Sequence, residues 1–268
     1  MADMVVVFSD IDGTLVDHFT YSHEQSKPGI SMLKAMGYPL VLVSSKTFPE
    51  IKDLHKKLDL DSPFVFENGG GIAWPGDAHN HEMMIELRGA GVSSLRSYLA
   101  LLSSLIGDTI VLLQDMSIEE VAARTGLSLK ASELALQRQA SLPFVIDDMN
   151  TISQKDIELV NVTLEKEGLV LTRGGRFFHF SSLIANKGSA VVEIAERLKR
   201  KYPEQQVVTA GIGDSINDLP MLKVVDEAFL VKNQHGSTVE PGFPVTRTLC
   251  AGPAGFSEAI RYLYQNTQ

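Results

Sequence analysis

The 268-residue sequence predicts an α/β protein with a parallel-sheet core in two segments, 1–83 and 185–268, and a smaller α/β domain inserted over 84–184. Three observations predict it. Met4-Val-Val-Val-Phe8 and Pro39-Leu-Val-Leu-Val43 are short β-branched runs without alternation, as expected of strands buried on both faces. A strand, helix, strand order joins them and resumes after Asn186. Between those stretches, Gly174-Gly175 separates two strand-like runs, a two-residue hairpin signal that belongs to antiparallel sheet.

The elements follow in order. Lys27 to Met36 has helical spacing and ends at Gly37, a residue suited to a left-handed C-cap. Phe48 to Leu58 reads as a helix, Pro63 to Phe66 as a third strand, and Glu67 to Gly71 as a turn. From about Met83 the pattern changes. Val92 to Ile106 and Ser117 to Gln139 are predicted helical, the second broken near Gly126, while Leu142 to Ile146, Leu169 to Arg173 and Arg176 to Phe180 are predicted strands. Beyond Asn186 come a helix over Lys187 to Lys201, a strand over Gln206 to Ala210, a helix near Pro220 to Val224 and a strand over Ala228 to Val231.

Composition sets further bounds. With 44% hydrophobic and 21% charged residues the chain is globular, and a formal charge of -9 argues against nucleic acid or an anionic membrane surface as partner. The single cysteine, Cys250, cannot form an intrachain disulfide. The opening Met1-Ala2-Asp3-Met4 has no basic region, and Tyr98 to Gln114 is interrupted by Ser103, Ser104, Gly107 and Asp108, so a cytoplasmic location without a membrane span is expected.

The residues that carry chemistry sit at strand ends. Asp10-Ile-Asp12-Gly13-Thr14 follows the first strand, where open parallel sheets place their ligands, and in extended chain residues two apart point the same way. Two carboxylates so close repel unless a cation or a proton intervenes, and a hard divalent ion such as Mg2+ suits them. A solvated Asp-Gly turn is the other reading. Gly211-Ile-Gly213-Asp214-Ser215-Ile216-Asn217-Asp218 repeats the arrangement, so Asp214 and Asp218 can approach the same cation, although Asp218 would equally cap the next helix. The third glycine of a dinucleotide fingerprint is missing there, with Ile216 in its place. Lys187 opens a helix, a position the helix dipole opposes, which points to an anion nearby or to a solvated surface lysine. Ser44, at the end of the second strand, fits either a phosphate ligand or a turn cap.

Together these four elements resemble the haloacid dehalogenase phosphatase superfamily, whose motifs appear in order as Asp10-x-Asp12-Gly-Thr-Leu15, Ser44, Lys187 and Gly213-Asp214-Ser215-x-Asn217-Asp218. The resemblance implies a Rossmann-like core with an inserted cap of the C2B type, in the Cof-like branch. Over nearly the whole chain it narrows to the mannosyl-3-phosphoglycerate phosphatases, through Ser44-Ser-Lys-Thr47, Glu67-Asn-Gly-Gly70, Glu119-Glu-Val-Ala122, Thr125-Gly-Leu127, Arg173-Gly-Gly-Arg-Phe-Phe-His179 and Gly252-Pro253. Two positions depart from the family pattern: Phe256 stands where Trp is expected and Asn186 where Asp is common.

The resemblance implies Asp10 as nucleophile, Asp12 as acid and base, Ser44 and Lys187 on the phosphoryl oxygens, and Mg2+ held by Asp10, the Asp12 carbonyl, Asp214 and Asp218. The expected partner is a small anionic sugar-phosphoglycerate, with no protein partner implied. Ser45, Lys46, Asn68, Gly69 and Asn217 would line its site. Arg176, with the Gly174 and Gly175 amides, would take the substrate carboxylate, because a guanidinium matches its geometry. His179 is a further candidate, and Arg173 lies on the opposite strand face from Arg176 unless the hairpin twists. The alternatives are a glucosyl-3-phosphoglycerate or general sugar phosphatase, a phosphomannomutase, or a non-catalytic sugar-phosphate sensor.

Overall fold

A computed structural model of the chain describes residues 4–76, 82–148, 152–174, 176–234, 236 and 239–266. Its larger sheet has eight strands in the order β12-β11-β10-β1-β2-β3-β4-β5. These are β1 (Met4–Ser9), β2 (Leu40–Val43), β3 (Phe64–Phe66), β4 (Gly71–Trp74), β5 (Met84–Leu87), β10 (Val207–Gly213), β11 (Glu227–Lys232) and β12 (Thr246–Ala251). All pairs from β12 to β3 are parallel, and β4 and β5 return antiparallel. β1 lies between β10 and β2, and its buried Val5 to Ser9 explain the run without alternation.

Helices cover both faces. α1 (Lys27–Met36), α2 (Phe48–Lys57) and α10 (Gly252–Asn266) pack Ile30, Leu33, Ile51, Phe256 and Ile260 on Val5, Val7, Leu40 and Leu42. α8 (Lys187–Lys201) and α9 (Leu219–Leu222) cover Val6, Phe8, Val41 and Val43 on the other side. Sequence marks their ends: Gly37 closes α1 at φ 69°, and Thr47 with Glu50 forms a capping box at the start of α2. Phe256 is fully buried in the first layer, so its departure from the family's Trp is a matter of core packing.

The smaller sheet runs β6-β7-β9-β8, antiparallel throughout, from β6 (Val111–Leu112), β7 (Ser141–Val145), β8 (Leu169–Arg173) and β9 (Phe178–Ser182). α3 (Val92–Ser97), α4 (Leu99–Ile106) and α7 (Gln154–Leu164) bury Leu95, Leu102, Ile157 and Leu164 against Leu142, Phe144, Phe178 and Phe180 on one face. α5 (Ile118–Thr125) and α6 (Leu129–Ala135) complete this unit, with Gly126 in left-handed conformation between them.

The structure corrects several boundaries. The insertion was expected to begin at 84, yet β5 joins the larger sheet through pairs such as Trp74 with Met84. Met84, Ile85 and Leu87 are exposed on this edge strand, so no burial pattern announced it. The helix expected over Val92 to Ile106 breaks at Tyr98, whose N–H turns back to the Leu95 carbonyl three residues earlier. The second helical stretch ends at Ala135 instead of Gln139. The Gly174-Gly175 turn is longer than two residues: Arg173 pairs with Phe178, and the Gly174 N–H closes on the Phe177 carbonyl at 2.8 Å. Consequently β9 starts at Phe178 and not at Arg176.

Candidate active site

The site lies at the carboxyl ends of β1, β2 and β10, the central parallel strands of the larger sheet. After β1 the backbone folds tightly, with Thr14, Leu15 and Val16 N–H groups donating to the Ile11 carbonyl. Gly13 has φ 81°, and a Cβ there would lie 2.8 Å from Asp214 Oδ2, so both conformation and closeness require glycine. Asp10, Asp214 and Asp218 are all buried, and one oxygen from each lies within 4.8 Å of the other two.

Lys187 supplies the opposite charge. Its ammonium, 1% exposed on the first residue of α8, donates to Asp10 Oδ1 at 2.6 Å and to Asp218 Oδ1 at 2.5 Å. Burial alone would lower this ammonium's pKa, but Asp10 and Asp218 outweigh it and raise it. The anion predicted from the dipole argument is therefore this carboxylate pair. Asn186 caps α8 by accepting from the Ser189 N–H at 2.8 Å, as an aspartate would, so that departure leaves the helix start intact.

Asp218 serves two purposes. Its Oδ2 accepts from the Asp214 and Ser215 N–H groups, each at 3.0 Å, and from Ser215 Oγ at 2.8 Å, while Oδ1 faces Lys187. The side chain therefore does not cap the helix at Leu219, as the sequence allowed; it reaches back to close the Asp214–Ser215 turn instead. Asn217, by contrast, accepts from the Ser215 hydroxyl on the exposed side of this loop. Asp214 is steadied by Asn233 Nδ2 at 2.7 Å and Thr14 Oγ1 at 3.4 Å.

Asp12 stands apart from the buried trio. Its Oδ2 meets Lys46 Nζ at 3.0 Å, whereas its buried Oδ1 has no hydrogen-bond partner. Burial would lower the Lys46 pKa, but Asp12 and then Glu50, 3.8 Å away, raise it. Ser44 is buried, its hydroxyl accepting from the Lys46 N–H at 3.3 Å and its carbonyl from the Asn68 N–H at 2.9 Å. Ser45, Lys46, Asn68 and Gly69 therefore share one loop cluster with it. Asn68 adopts φ 55°, and its Oδ1 is buried without a partner.

The charge balance fits a divalent cation. Three buried carboxylates crowd one buried ammonium, more acidic groups than a single cation can pair. Burial first and Asp218 second push Asp214 up to about 7, and the same two causes hold Asp10 well above the usual carboxylate range. An all-oxygen donor set of this kind suits a hard ion such as Mg2+.

The residues expected on the smaller sheet are placed differently. Arg176 is exposed, and its Nη1 donates to the Thr125 carbonyl at 2.7 Å. The Gly174 amide is spent on closing the hairpin, and Gly175 lies outside the described residues. Arg173 donates to the Ile152 carbonyl at 2.9 Å and lies over the Phe178 ring. His179 projects opposite to Phe178 and Phe180, away from the apolar layer, and burial, then the Arg138 charge, lower its pKa to about 3. Sequence reasoning missed Asn233, Thr14, Arg138 and Glu67. Thr14 and Glu67 stand inside strings already singled out, though neither was given a role; Asn233 and Arg138 come from segments without a signal.

Comparison with known proteins places the chain in a family. A family model described as haloacid dehalogenase-like hydrolase matches residues 7–240. A glucosyl-3-phosphoglycerate/mannosyl-3-phosphoglycerate phosphatase of Persephonella marina is 33% identical, over 96% of each chain. The protein of the same name from Methanococcoides burtonii is 34% identical over 95% of each. In fold alone, the chain is similar to a haloacid dehalogenase-like hydrolase from Bacteroides thetaiotaomicron (TM-score 0.67, 17% identity, 97% of this chain and 100% of the other). It is likewise similar to the sucrose-phosphatase of Synechocystis (TM-score 0.58, 15% identity, 98% and 99%).

Proposed function

The chain belongs to the haloacid dehalogenase-like hydrolase family and is a phosphatase, and we propose that it hydrolyses 2-O-mannosyl-3-phosphoglycerate to mannosylglycerate and phosphate. The observation that carries this reading is the cluster of Asp10, Asp214 and Asp218 around Lys187 at the sheet's carboxyl edge, in a chain alike end to end to hexosyl-3-phosphoglycerate phosphatases.

In the proposed reaction an Asp10 oxygen forms a bond to phosphorus as the bond to the glycerate oxygen breaks, giving an aspartyl-phosphate. Asp12 delivers a proton to that leaving oxygen. It then accepts one from the water that attacks phosphorus, freeing phosphate and restoring the Asp10 carboxylate. Lys187 and Ser44 hold phosphoryl oxygens and offset the charge that grows on them. Asp10, Asp214, Asp218 and the Asp12 carbonyl would hold Mg2+, which when bound offsets the repulsion between anionic nucleophile and anionic substrate.

For the leaving group, Lys46 stands beside Asp12 and would meet its polar atoms. Arg176 would exchange the Thr125 carbonyl for the substrate carboxylate, a stronger, charge-assisted partner. Asn68, Gly69, Asn217 and His179 would line the remaining site. A second reading, equal use of the glucosyl compound, is favoured by the relatives, whose names carry both sugars.

The test is kcat/KM with Mg2+ for the mannosyl and glucosyl compounds against common hexose phosphates. Either phosphoglycerate is expected to exceed the hexose phosphates by ~100-fold or more, as pairing a substrate carboxylate with a site cation requires. Equal, feeble turnover of all would overturn the substrate. Release of phosphate to water separates hydrolysis from a mutase, and inactivity toward every phosphomonoester would leave a sensor.

A further inference from the structure

Among the described residues the two sheets have separate apolar layers: the buried clusters of the larger sheet share no residue with those of the smaller one. Named polar contacts join them, drawn from residues 134–141 of the smaller unit. Thr47 Oγ1 donates to the Leu134 carbonyl at 2.9 Å, and Arg138 Nη1 to the Ser45 carbonyl at 2.9 Å. The densest contact is made by Glu67, which is 2% exposed. Its Oε1 accepts from the Gln139 N–H at 2.8 Å, and its Oε2 from the Ala140 N–H at 3.1 Å and the Ser141 hydroxyl at 2.6 Å.

Glu67 also faces the other way. Its N–H donates to the Lys46 carbonyl at 2.8 Å, and the next N–H, of Asn68, donates to the Ser44 carbonyl at 2.9 Å. Both residues are left-handed, Glu67 at φ 50° and Asn68 at φ 55°, a conformation costly without glycine and kept only where surroundings impose it. The strain lets one residue turn its carboxylate to the smaller sheet and its amide to the Ser44 loop.

We infer that Glu67 is a positioning residue that clamps the start of β7 and braces the Ser44 loop, so that docking of the smaller sheet and ordering of the phosphate-binding loop are one event. This rests on the proposed role of Ser44 as a phosphate ligand. A polar clamp suits the task, because each such bond can be exchanged for water at small net cost, whereas a shared apolar core could not open.

The test compares full-length wild type with Glu67→Gln by amide hydrogen exchange and steady-state kinetics. The amide cannot accept all three bonds, since its nitrogen only donates. Exchange at Gln139 and Ala140 should accelerate about tenfold while β1 and α8 stay protected, and KM for mannosyl-3-phosphoglycerate should rise about tenfold with a smaller fall in kcat. Unchanged exchange at these two amides, or uniform acceleration along the chain, would overturn the clamp. If Glu67→Gln does not fold, Ser141→Ala removes one donor and should act in the same direction more weakly; no local change there also overturns it. Exchange requires no substrate, so local loosening in a protein inactive on this compound supports the clamp and rejects only the substrate.

Discussion

At the strand ends of the larger sheet, opposite charges are buried against one another; in the smaller unit, Arg176 and Arg138 meet neutral backbone oxygens. Lys187 is locked between Asp10 and Asp218, while Arg176 rests on Thr125 and Arg138 on Ser45. The difference teaches where each region spends its electrostatics. A buried ion pair broken on one side leaves an uncompensated charge, so the first arrangement is fixed. An exposed arginine on a carbonyl loses little when a carboxylate replaces that partner, so the second is open to a ligand.

The largest expected effect breaks the fixed region at its nucleophile. Asp10→Asn should lower phosphatase turnover by about 10³-fold or more with the fold intact, checked by kcat and circular dichroism. Retained full activity would remove Asp10 from the chemistry. Next, Lys187→Met should cost roughly 100-fold in kcat through lost transition-state stabilisation. It should also lower thermal stability by about 3 to 5 kcal/mol, because Asp10 and Asp218 lose their buried partner. Equal loss of activity with no change in melting would mean the pair is solvated.

On the open side, effects should be smaller and selective. Arg176→Ala is expected to raise KM for mannosyl-3-phosphoglycerate about tenfold while leaving a phosphomonoester without a carboxylate within twofold, as loss of one charge-assisted bond predicts. A uniform change across substrates would make the arginine purely structural. The smallest effect concerns pH. His179 is held neutral in the fold, at about 3 against 6.5 for the free side chain, so its contribution is fully present above pH 6.5 and is lost as pH falls toward 3. Between pH 7 and pH 5 wild type should therefore lose roughly 2 kcal/mol more than His179→Gln in denaturant unfolding. Identical slopes would place the imidazole in water.

Much of the site was legible before any fold was known. Asp10, Asp12, Ser44, Asp214 and Asp218 follow short buried runs, and a parallel sheet brings such run ends to one edge, while Lys187 was marked instead by its place at a helix start. Partners that come from unmarked segments were not legible. Asn233 reaches Asp214 because β11 lies beside β10, and no local pattern announces that pairing. Glu67 read as part of a turn, and only its bonds to residues more than 70 positions away reveal its task. The exposed edge strand β5 and the irregular hairpin at Gly174 escaped for the same reason: burial alternation and turn residues report local geometry alone.

Sequence by itself determined the α/β class, the order of the acid-bearing strand ends and the identity of the charged groups, because backbone periodicity and side-chain chemistry are local properties. Tertiary structure decided how those groups are paired: Lys187 with Asp10 and Asp218, Lys46 with Asp12, Arg176 with Thr125, Glu67 with the start of β7. Pairing depends on distance and dielectric, and both are set only when distant segments close on each other and exclude water.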